Sequence, residues 1–136
     1  MGLALAVAFA LSSPAFAPGG AIPLRYTCDG ANVSPPLRWT APPRATRSLG
    51  LTVVDPDAPN GHFVHWVASA IPATSRGLAV GARPAKQGAN GAGGVGWTGP
   101  CPPAGPAHHY VFTLTALGAR GKVLARARLV GLYSRR

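Results

Sequence analysis

Apolar and polar residues alternate along several stretches of the chain, a pattern typical of β-strands that bury one face. In the first clear stretch, Leu49, Leu51 and Val53 share a face. The stretch ends at Asp55, because the prolines that follow lack the backbone N–H group that a sheet requires. The pattern therefore predicts Asp55 at the mouth of a strand.

A second strand follows within ten residues. Strict alternation predicts that Phe63, His65 and Val67 share one face and that Val64 and Trp66 share the other. His65 then points in the same direction as two apolar neighbours. A lone histidine in such a position is more often a buried core residue than a ligand, so its role depends on what else lies near it.

The clearest strand spans ten residues from His108. Along one of its faces, His108 and Tyr110 come first and only apolar side chains follow: Phe112, Leu114 and Ala116. Polar groups are thus predicted at one end of an otherwise apolar, inward-facing surface.

Glycines at positions 118 and 121 predict a hairpin turn into a last strand between Lys122 and Tyr133. The chain has 18 glycines and 15 prolines in 136 residues, and this density interrupts helices. No stretch shows a sustained helical period. We therefore predict one mainly β domain with few short helices.

The chain is strongly basic, with a formal net charge of +10, three acidic residues and no glutamate. Such a surface attracts anions, and it holds nucleic acid or anionic lipid headgroups weakly and in a salt-sensitive manner. Aromatic residues are not interleaved with the basic ones, as a platform for single-stranded nucleic acid requires. We therefore predict no specific nucleic-acid partner. Two of the three carboxylates, Asp55 and Asp57, lie within three positions of each other. Because acidic residues are so few, this clustering indicates a functional segment.

Residues 1–17 are uncharged and end in Ala15-Phe16-Ala17. An apolar stretch followed by small residues is typical of a secretory signal peptide, although the usual basic start is missing. The alternative is an apolar N-terminus or a buried strand. We predict a signal peptide over 1–17, a domain over 18–136, and a periplasmic or secreted protein that is cytoplasmic if the segment is not a signal. No transmembrane segment is predicted.

The glycine-rich stretch 88–97 lacks the Gly-Lys-Ser/Thr ending of a phosphate-cradling P-loop, so it does not predict nucleotide binding. Ser34 lies between a valine and a proline, outside the context of an activated nucleophile. We therefore expect no enzymatic activity and no cofactor.

Several separate motifs, read in order, resemble those of the phosphatidylethanolamine-binding protein family, most closely its bacterial Raf kinase inhibitor-like branch. The motifs are Tyr26-Thr27-Cys28-Asp29-Gly30, Asn32-Val33-Ser34-Pro35-Pro36-Leu37-Arg38-Trp39, Asp55-Pro56-Asp57-Ala58-Pro59, His65-Trp66-Val67, Gly99-Pro100-Cys101-Pro102-Pro103 and His108-His109-Tyr110. The resemblance implies a large central sheet, a smaller sheet and a small anion-binding pocket.

The resemblance also implies which residues form that pocket. Its lining would be Asp55, His65, His108 and Tyr110, and its rim would be Asp57, Pro59 and Pro103. The direction of the strand faces independently places His65, His108 and Tyr110 inward. Two imidazoles and a phenol can donate hydrogen bonds to phosphate oxygens, so we predict a small phosphate-bearing ligand that binds more tightly as the pH falls through the imidazole range.

Two other functions compete with this one. The protein could inhibit a protein kinase or a protease through the rim of the pocket. Alternatively Asp55, His65 and His108 could ligate zinc in a metal-dependent hydrolase, although no tight metal-binding motif supports that hypothesis and we predict no metal site. The oligomeric state is left open.

The resemblance places Cys28 and Cys101 in loops near the pocket. They form a disulfide if the protein is exported and its loops bring them together, and they remain free thiols in the cytoplasm. The chain departs from the family pattern at residues 118–121, where relatives usually insert a longer segment that contains a helix. The pocket is expected to survive this shortening, whereas a surface built on that helix is in doubt.

Overall fold

A computed structural model describes residues 8–136. The chain forms eight strands: β1 (Leu11–Ser12), β2 (Leu37–Trp39), β3 (Ser48–Asp55), β4 (Phe63–Pro72), β5 (Gly77–Leu78), β6 (Lys86–Gln87), β7 (His108–Leu117) and β8 (Val123–Tyr133). Two 3₁₀ turns, Leu24–Tyr26 and Ala119–Gly121, are the only helical elements within the described residues. Among the same residues, no helix is long and apolar enough to cross a bilayer.

The strands form two antiparallel sheets. The larger has the order β6-β4-β3-β7-β8, and the smaller has the order β1-β2-β5. This architecture agrees with the mainly β fold, with one large and one smaller sheet, that the sequence and the family resemblance predict. The hairpin between β7 and β8 also lies where the glycines at 118 and 121 predict it.

One core contains side chains from both sheets. β3 contributes Leu49, Leu51 and Val53, each at most 1% exposed, and β7 contributes every second residue from Tyr110 to Ala116. Leu37 and Trp39 of the smaller sheet belong to the same cluster. The alternating pattern therefore identified the buried faces of β3 and β7 correctly, because both strands have regular register over most of their length.

The prediction of strict alternation along β4 is wrong. His65 and the adjacent Trp66 are both buried, whereas Phe63 and Val67, predicted on the face of His65, are only partly buried. The register changes between Val53 and Val54, where Val53 pairs with Trp66 but Val54 pairs with Val64. This β-bulge leaves His65 as the extra residue, so its side chain stays inward while the rest of the strand changes phase.

The N-terminal segment packs against the rest of the chain before Pro18, and the predicted boundary between a signal peptide and the domain stays a prediction. Leu11 and Phe16 are buried, and the ring of Phe16 lies 5.8 Å from that of Phe112. Further along, the backbone N–H groups of Gly19 and Ile22 donate to the carbonyls of Val130 and Leu132, each at 2.7 Å. These bonds cover the free edge of β8. Residues 1–7 of the predicted signal peptide lie outside the described residues, and export itself stays a prediction.

The structure joins Cys28 and Cys101 in a disulfide, with their Cα atoms 5.4 Å apart. The bond connects the loop that follows the first 3₁₀ turn to the proline-rich loop before β7. A backbone hydrogen bond from Cys28 N–H to the Pro100 carbonyl, at 3.1 Å, runs beside it. The two loops therefore form one rigid unit at the end of the large sheet.

We expect Phe16→Ala to lower the free energy of unfolding by about 3 kcal/mol, because it removes a buried aromatic ring. Denaturant titration of the full chain measures this loss. Ser12→Ala, at an exposed position of β1, serves as the control and should change stability by less than about 0.5 kcal/mol. Equal stability of both variants would show that the segment is not packed in solution.

We expect the double variant Cys28→Ser with Cys101→Ser to lose about 4 kcal/mol of unfolding free energy, since the bond spans 73 residues and restricts the unfolded chain. Guanidinium titration measures the change. Dithiothreitol should lower the stability of the unmodified chain similarly and leave that of the double variant unchanged. An unmodified chain that is insensitive to reductant contradicts the bond.

Candidate functional site

Three neighbouring strands bring the predicted site residues to one end of the large sheet. β3 is antiparallel to both β4 and β7, so its last residue lies beside the beginning of each. Asp55 pairs with Phe63 at the start of β4, and Val54 pairs with Val111 near the start of β7. Side chains from three distant parts of the sequence therefore meet at this end.

Asp55 is almost fully buried, at 4% exposed, and its two carboxylate oxygens have different partners. The ring Nδ1 of His108 donates to Oδ2 at 2.7 Å, and the backbone N–H of Asp57 donates to Oδ1 at 2.8 Å. A buried carboxylate needs such donors to offset its lost hydration. Asp55 thus fixes the orientation of the His108 ring and leaves the Nε2 atom of that ring for other contacts.

The ring of His65 is oriented by a backbone carbonyl. Its Nδ1 atom donates to the Thr98 carbonyl at 2.7 Å, so Nε2 is the second nitrogen available to a ligand. Burial lowers the pKa of His65 below its ordinary value, and the Thr98 carbonyl and the Asp55 carboxylate only partly oppose this effect. The neutral ring then presents Nε2 as an acceptor. The expectation that both imidazoles donate to an anion therefore requires that they are protonated.

The Tyr110 hydroxyl completes the polar part of the site. The ring is fully buried and packs edge-on against His65, with the ring centroids 5.1 Å apart. Burial raises the pKa of Tyr110, and the negative charge of Asp55 adds to the effect, so the phenol keeps its proton at ordinary pH. Among residues 8–136 this hydroxyl has no hydrogen-bond partner.

A cavity of about 310 Å³ lies among these groups. Six of the seven residues predicted for the site line it, namely Asp55, Pro59, His65, Pro103, His108 and Tyr110. We call this space the His–Tyr cavity. The structure therefore places these six side chains together, and their role in ligand binding stays a prediction.

Asp57 does not line the His–Tyr cavity itself, and its predicted role at the rim stays a prediction. Its Oδ2 atom accepts hydrogen bonds from the backbone N–H and from the ring Nδ1 of His109, both at 2.7 Å. The backbone bond and then the ring bond lower the pKa of Asp57. Asp57 therefore anchors the turn after β3 to the start of β7, which helps to hold Asp55 in place.

Sequence reasoning missed two groups that shape the wall of the cavity. Thr98 orients His65 through its backbone carbonyl, which no side-chain pattern reveals. Asn32 accepts a hydrogen bond from the Gly99 N–H at 2.7 Å across 67 residues of sequence. The only sequence signal for Asn32 was its presence in a motif that resembles those of a known family. That motif does not reveal Gly99 as its partner. Phe63 also lines the cavity, with its ring centroid 4.7 Å from that of His65. The alternation predicts it on the same face as His65, but no role was assigned to it.

The zinc hypothesis names Asp55, His65 and His108 as the ligands. Within the described part of the chain, no group of three His, Cys, Asp or Glu side chains is arranged to hold a metal ion. The geometry gives no support to the hypothesis of a metal-dependent hydrolase.

Comparison with known proteins gives a consistent result along nearly the whole chain. Residues 12–134 match the family model described as phosphatidylethanolamine-binding protein. A UPF0098 protein from Methanothermobacter thermautotrophicus is 44% identical over 149 aligned residues, which cover 92% of this chain and 98% of the relative. This aligned length exceeds the 136 residues of the chain, so the relative carries internal residues that this chain lacks. LppC from Mycobacterium tuberculosis, named as a lipoprotein, is 42% identical over 90% of this chain and 71% of its own length.

Solved structures agree in fold. A phosphatidylethanolamine-binding protein homologue from Chlamydia trachomatis, CT736, superposes with a TM-score of 0.88 at 35% identity and covers 95% of this chain and 99% of its own. YBCL from Escherichia coli is described as a member of the mammalian phosphatidylethanolamine-binding protein family. It superposes with a TM-score of 0.87 at 30% identity and covers 94% of this chain and 99% of its own. The chain belongs to the phosphatidylethanolamine-binding protein family.

Proposed function

We propose that the protein binds a small phosphate-bearing ligand, a phosphate ester or a phospholipid headgroup, in the His–Tyr cavity. The observation that carries this proposal is the buried Tyr110 hydroxyl, which has no partner within residues 8–136. Buried polar groups in folded proteins nearly always have a hydrogen-bond partner. A phosphate oxygen in the cavity would supply one.

The electrostatics of the cavity suit an anion whose charge is balanced by protonation of His65. The Asp55 carboxylate accepts hydrogen bonds from His108 and from the Asp57 backbone, and these donors partly offset its negative charge. A protonated His65 would turn Nε2 into a charge-assisted donor beside the Tyr110 hydroxyl. The net charge of +10 raises the local concentration of any anion around the molecule.

The remaining wall of the cavity is apolar and suits the carbon part of an ester. Phe63, Pro59 and Pro103 form much of it. A volume of about 310 Å³ accommodates a headgroup of modest size rather than a nucleic-acid strand. The mixture of few polar groups and rigid apolar walls is typical of small-ligand sites.

Binding without chemical turnover is part of this proposal. A hydrolytic serine requires a hydrogen-bonded base. The Ser34 hydroxyl is buried and has no hydrogen-bond partner within the described residues. Ser34 also does not line the His–Tyr cavity.

Residence outside the cytoplasm is a further part of the proposal. The disulfide between Cys28 and Cys101 requires an oxidising compartment to persist. The name of LppC as a lipoprotein supports such a location for a relative that matches 90% of this chain.

We expect Tyr110→Phe to weaken the binding of phosphorylethanolamine about tenfold, because it removes one donor and keeps the ring that packs against His65. Isothermal titration calorimetry measures the affinity. Tyr26→Phe, at another buried tyrosine outside the cavity, is the matched control and should bind like the unmodified chain. If both variants bind with unchanged affinity, the ligand does not occupy this cavity.

Binding should also strengthen several-fold as the pH falls from about 8 to about 5, since the lowered pKa of His65 moves its protonation below the ordinary value of 6.5. Dimethyl phosphate is a suitable probe, because its single charge does not change over this range and only the protein titrates. His65→Gln removes the imidazole and should reduce the pH dependence. An affinity that is flat, or that rises with pH, contradicts the proposal.

A further inference from the structure

A second cavity, of about 350 Å³, lies on the other side of the segment that carries Trp97. Its wall includes Ser34, Arg83, Gln87 and Trp97, none of which lines the His–Tyr cavity. We call it the Arg83 cavity. It is formed by the loop after β5, by β6, by the glycine-rich loop and by the segment before β2.

Two residues of this wall carry buried hydrogen-bond donors without partners in the described part of the chain. Ser34 is 2% exposed, and its hydroxyl has no partner among the described residues; the same holds for the indole N–H of Trp97. Within residues 8–136, four buried side-chain polar atoms lack a partner, and these are two of them. A buried donor without a hydrogen-bond partner costs free energy. In folded proteins a ligand or an ordered water therefore commonly supplies the partner.

Gln87 adds a third donor of known orientation. The Trp66 indole N–H donates to its Oε1 atom at 2.7 Å. An indole nitrogen can only donate, so the oxygen of the amide must face Trp66. The NH₂ group of Gln87 is therefore directed away from that bond, and it is the part of the amide left for a ligand.

Arg83 supplies the charge. It is exposed, and within the described residues it forms no ion pair. All three carboxylate side chains of the protein are engaged elsewhere, Asp29 by Arg135, Asp55 by His108 and Asp57 by His109. The guanidinium has a planar fork of donors that matches a carboxylate.

We propose that the Arg83 cavity binds a small organic monocarboxylate. One cation and three neutral donors suit a single negative charge shared by two oxygens, whereas a phosphate dianion would bring more charge than Arg83 balances. Val33 and Val95 form an apolar part of the wall, so the carboxylate carries a short aliphatic group. This site is independent of the phosphate site in both residues and ligand charge.

The three tryptophan indole N–H signals in a ¹H–¹⁵N NMR spectrum test the proposal directly. Trp39 and Trp66 already donate to Ser75 and Gln87, whereas Trp97 is free to respond. Titration with isovalerate should shift the Trp97 indole signal in a saturable manner and leave that of Trp39 in place. Isovaleramide, which has the same shape without the charge, should shift it much less. Trp97→Phe assigns the signal.

Arg83→Gln should weaken isovalerate binding about tenfold or more, because among residues 8–136 Arg83 is the one cationic side chain that lines the cavity. Arg44→Gln, at an exposed arginine away from both cavities, is the matched control for the change in net charge. Ser34→Ala should weaken binding by a smaller factor. Phosphorylethanolamine binding in the His–Tyr cavity should be the same in Arg83→Gln as in the control.

The proposal is overturned if isovalerate leaves the Trp97 signal in place, or if the amide shifts it as much as the acid does. It is equally overturned if Arg83→Gln and Arg44→Gln weaken isovalerate binding to the same extent, since the effect would then be one of net charge. None of these results bears on the His–Tyr cavity, whose test uses different variants and a different ligand.

Discussion

The buried carboxylate of Asp55 has to be supplied with hydrogen-bond donors, and it takes them from two other segments of the chain. His108 Nδ1 at the start of β7 and the Asp57 N–H in the turn after β3 each provide one. Because an unpaired buried charge is costly, this requirement fixes the end of β3 against the start of β7. The positions of His108 and Tyr110, and hence the His–Tyr cavity, depend on it.

One backbone segment, residues 97–99, borders both cavities, and its close packing restricts which residues it can contain. Trp97 lines the Arg83 cavity, and the next two residues, Thr98 and Gly99, line the His–Tyr cavity. A Cβ atom at Gly99 would lie 2.4 Å from both Asn32 Oδ1 and the Tyr26 carbonyl, so only glycine fits there. The disulfide at Cys101 and the prolines beside it stiffen the following residues. A rigid wall keeps the donors of each cavity in place before any ligand arrives, which reduces the entropic cost of binding.

The scarcity of acidic side chains has a structural consequence. Asp29 accepts hydrogen bonds from Tyr133 at 2.5 Å and from Arg135 at 3.0 Å. These bonds hold the end of β8 near the first 3₁₀ turn. These bonds lower the pKa of Asp29, with Tyr133 as the largest cause. With every aspartate used in this way, most arginines and lysines have no carboxylate partner within the described residues. The positive field around the molecule is therefore largely uncompensated, which favours anions at both cavities.

The sequence by itself predicted the long strands β3, β7 and β8 and the existence of β4, because alternation reports directly which face of a strand is buried. It placed Asp55 at the end of β3 and His108 and Tyr110 at the leading end of β7, and its motifs identified the family. The tertiary structure alone decided how β4 runs, since the bulge at His65 depends on pairing with β3 and leaves no trace in the pattern of side chains. The same holds for Asn32 with Gly99, for the packing of Phe16 on Phe112 and for the formation of the Arg83 cavity. Contacts of this kind join residues far apart in the chain, and their partners are set by three-dimensional packing rather than by any local period.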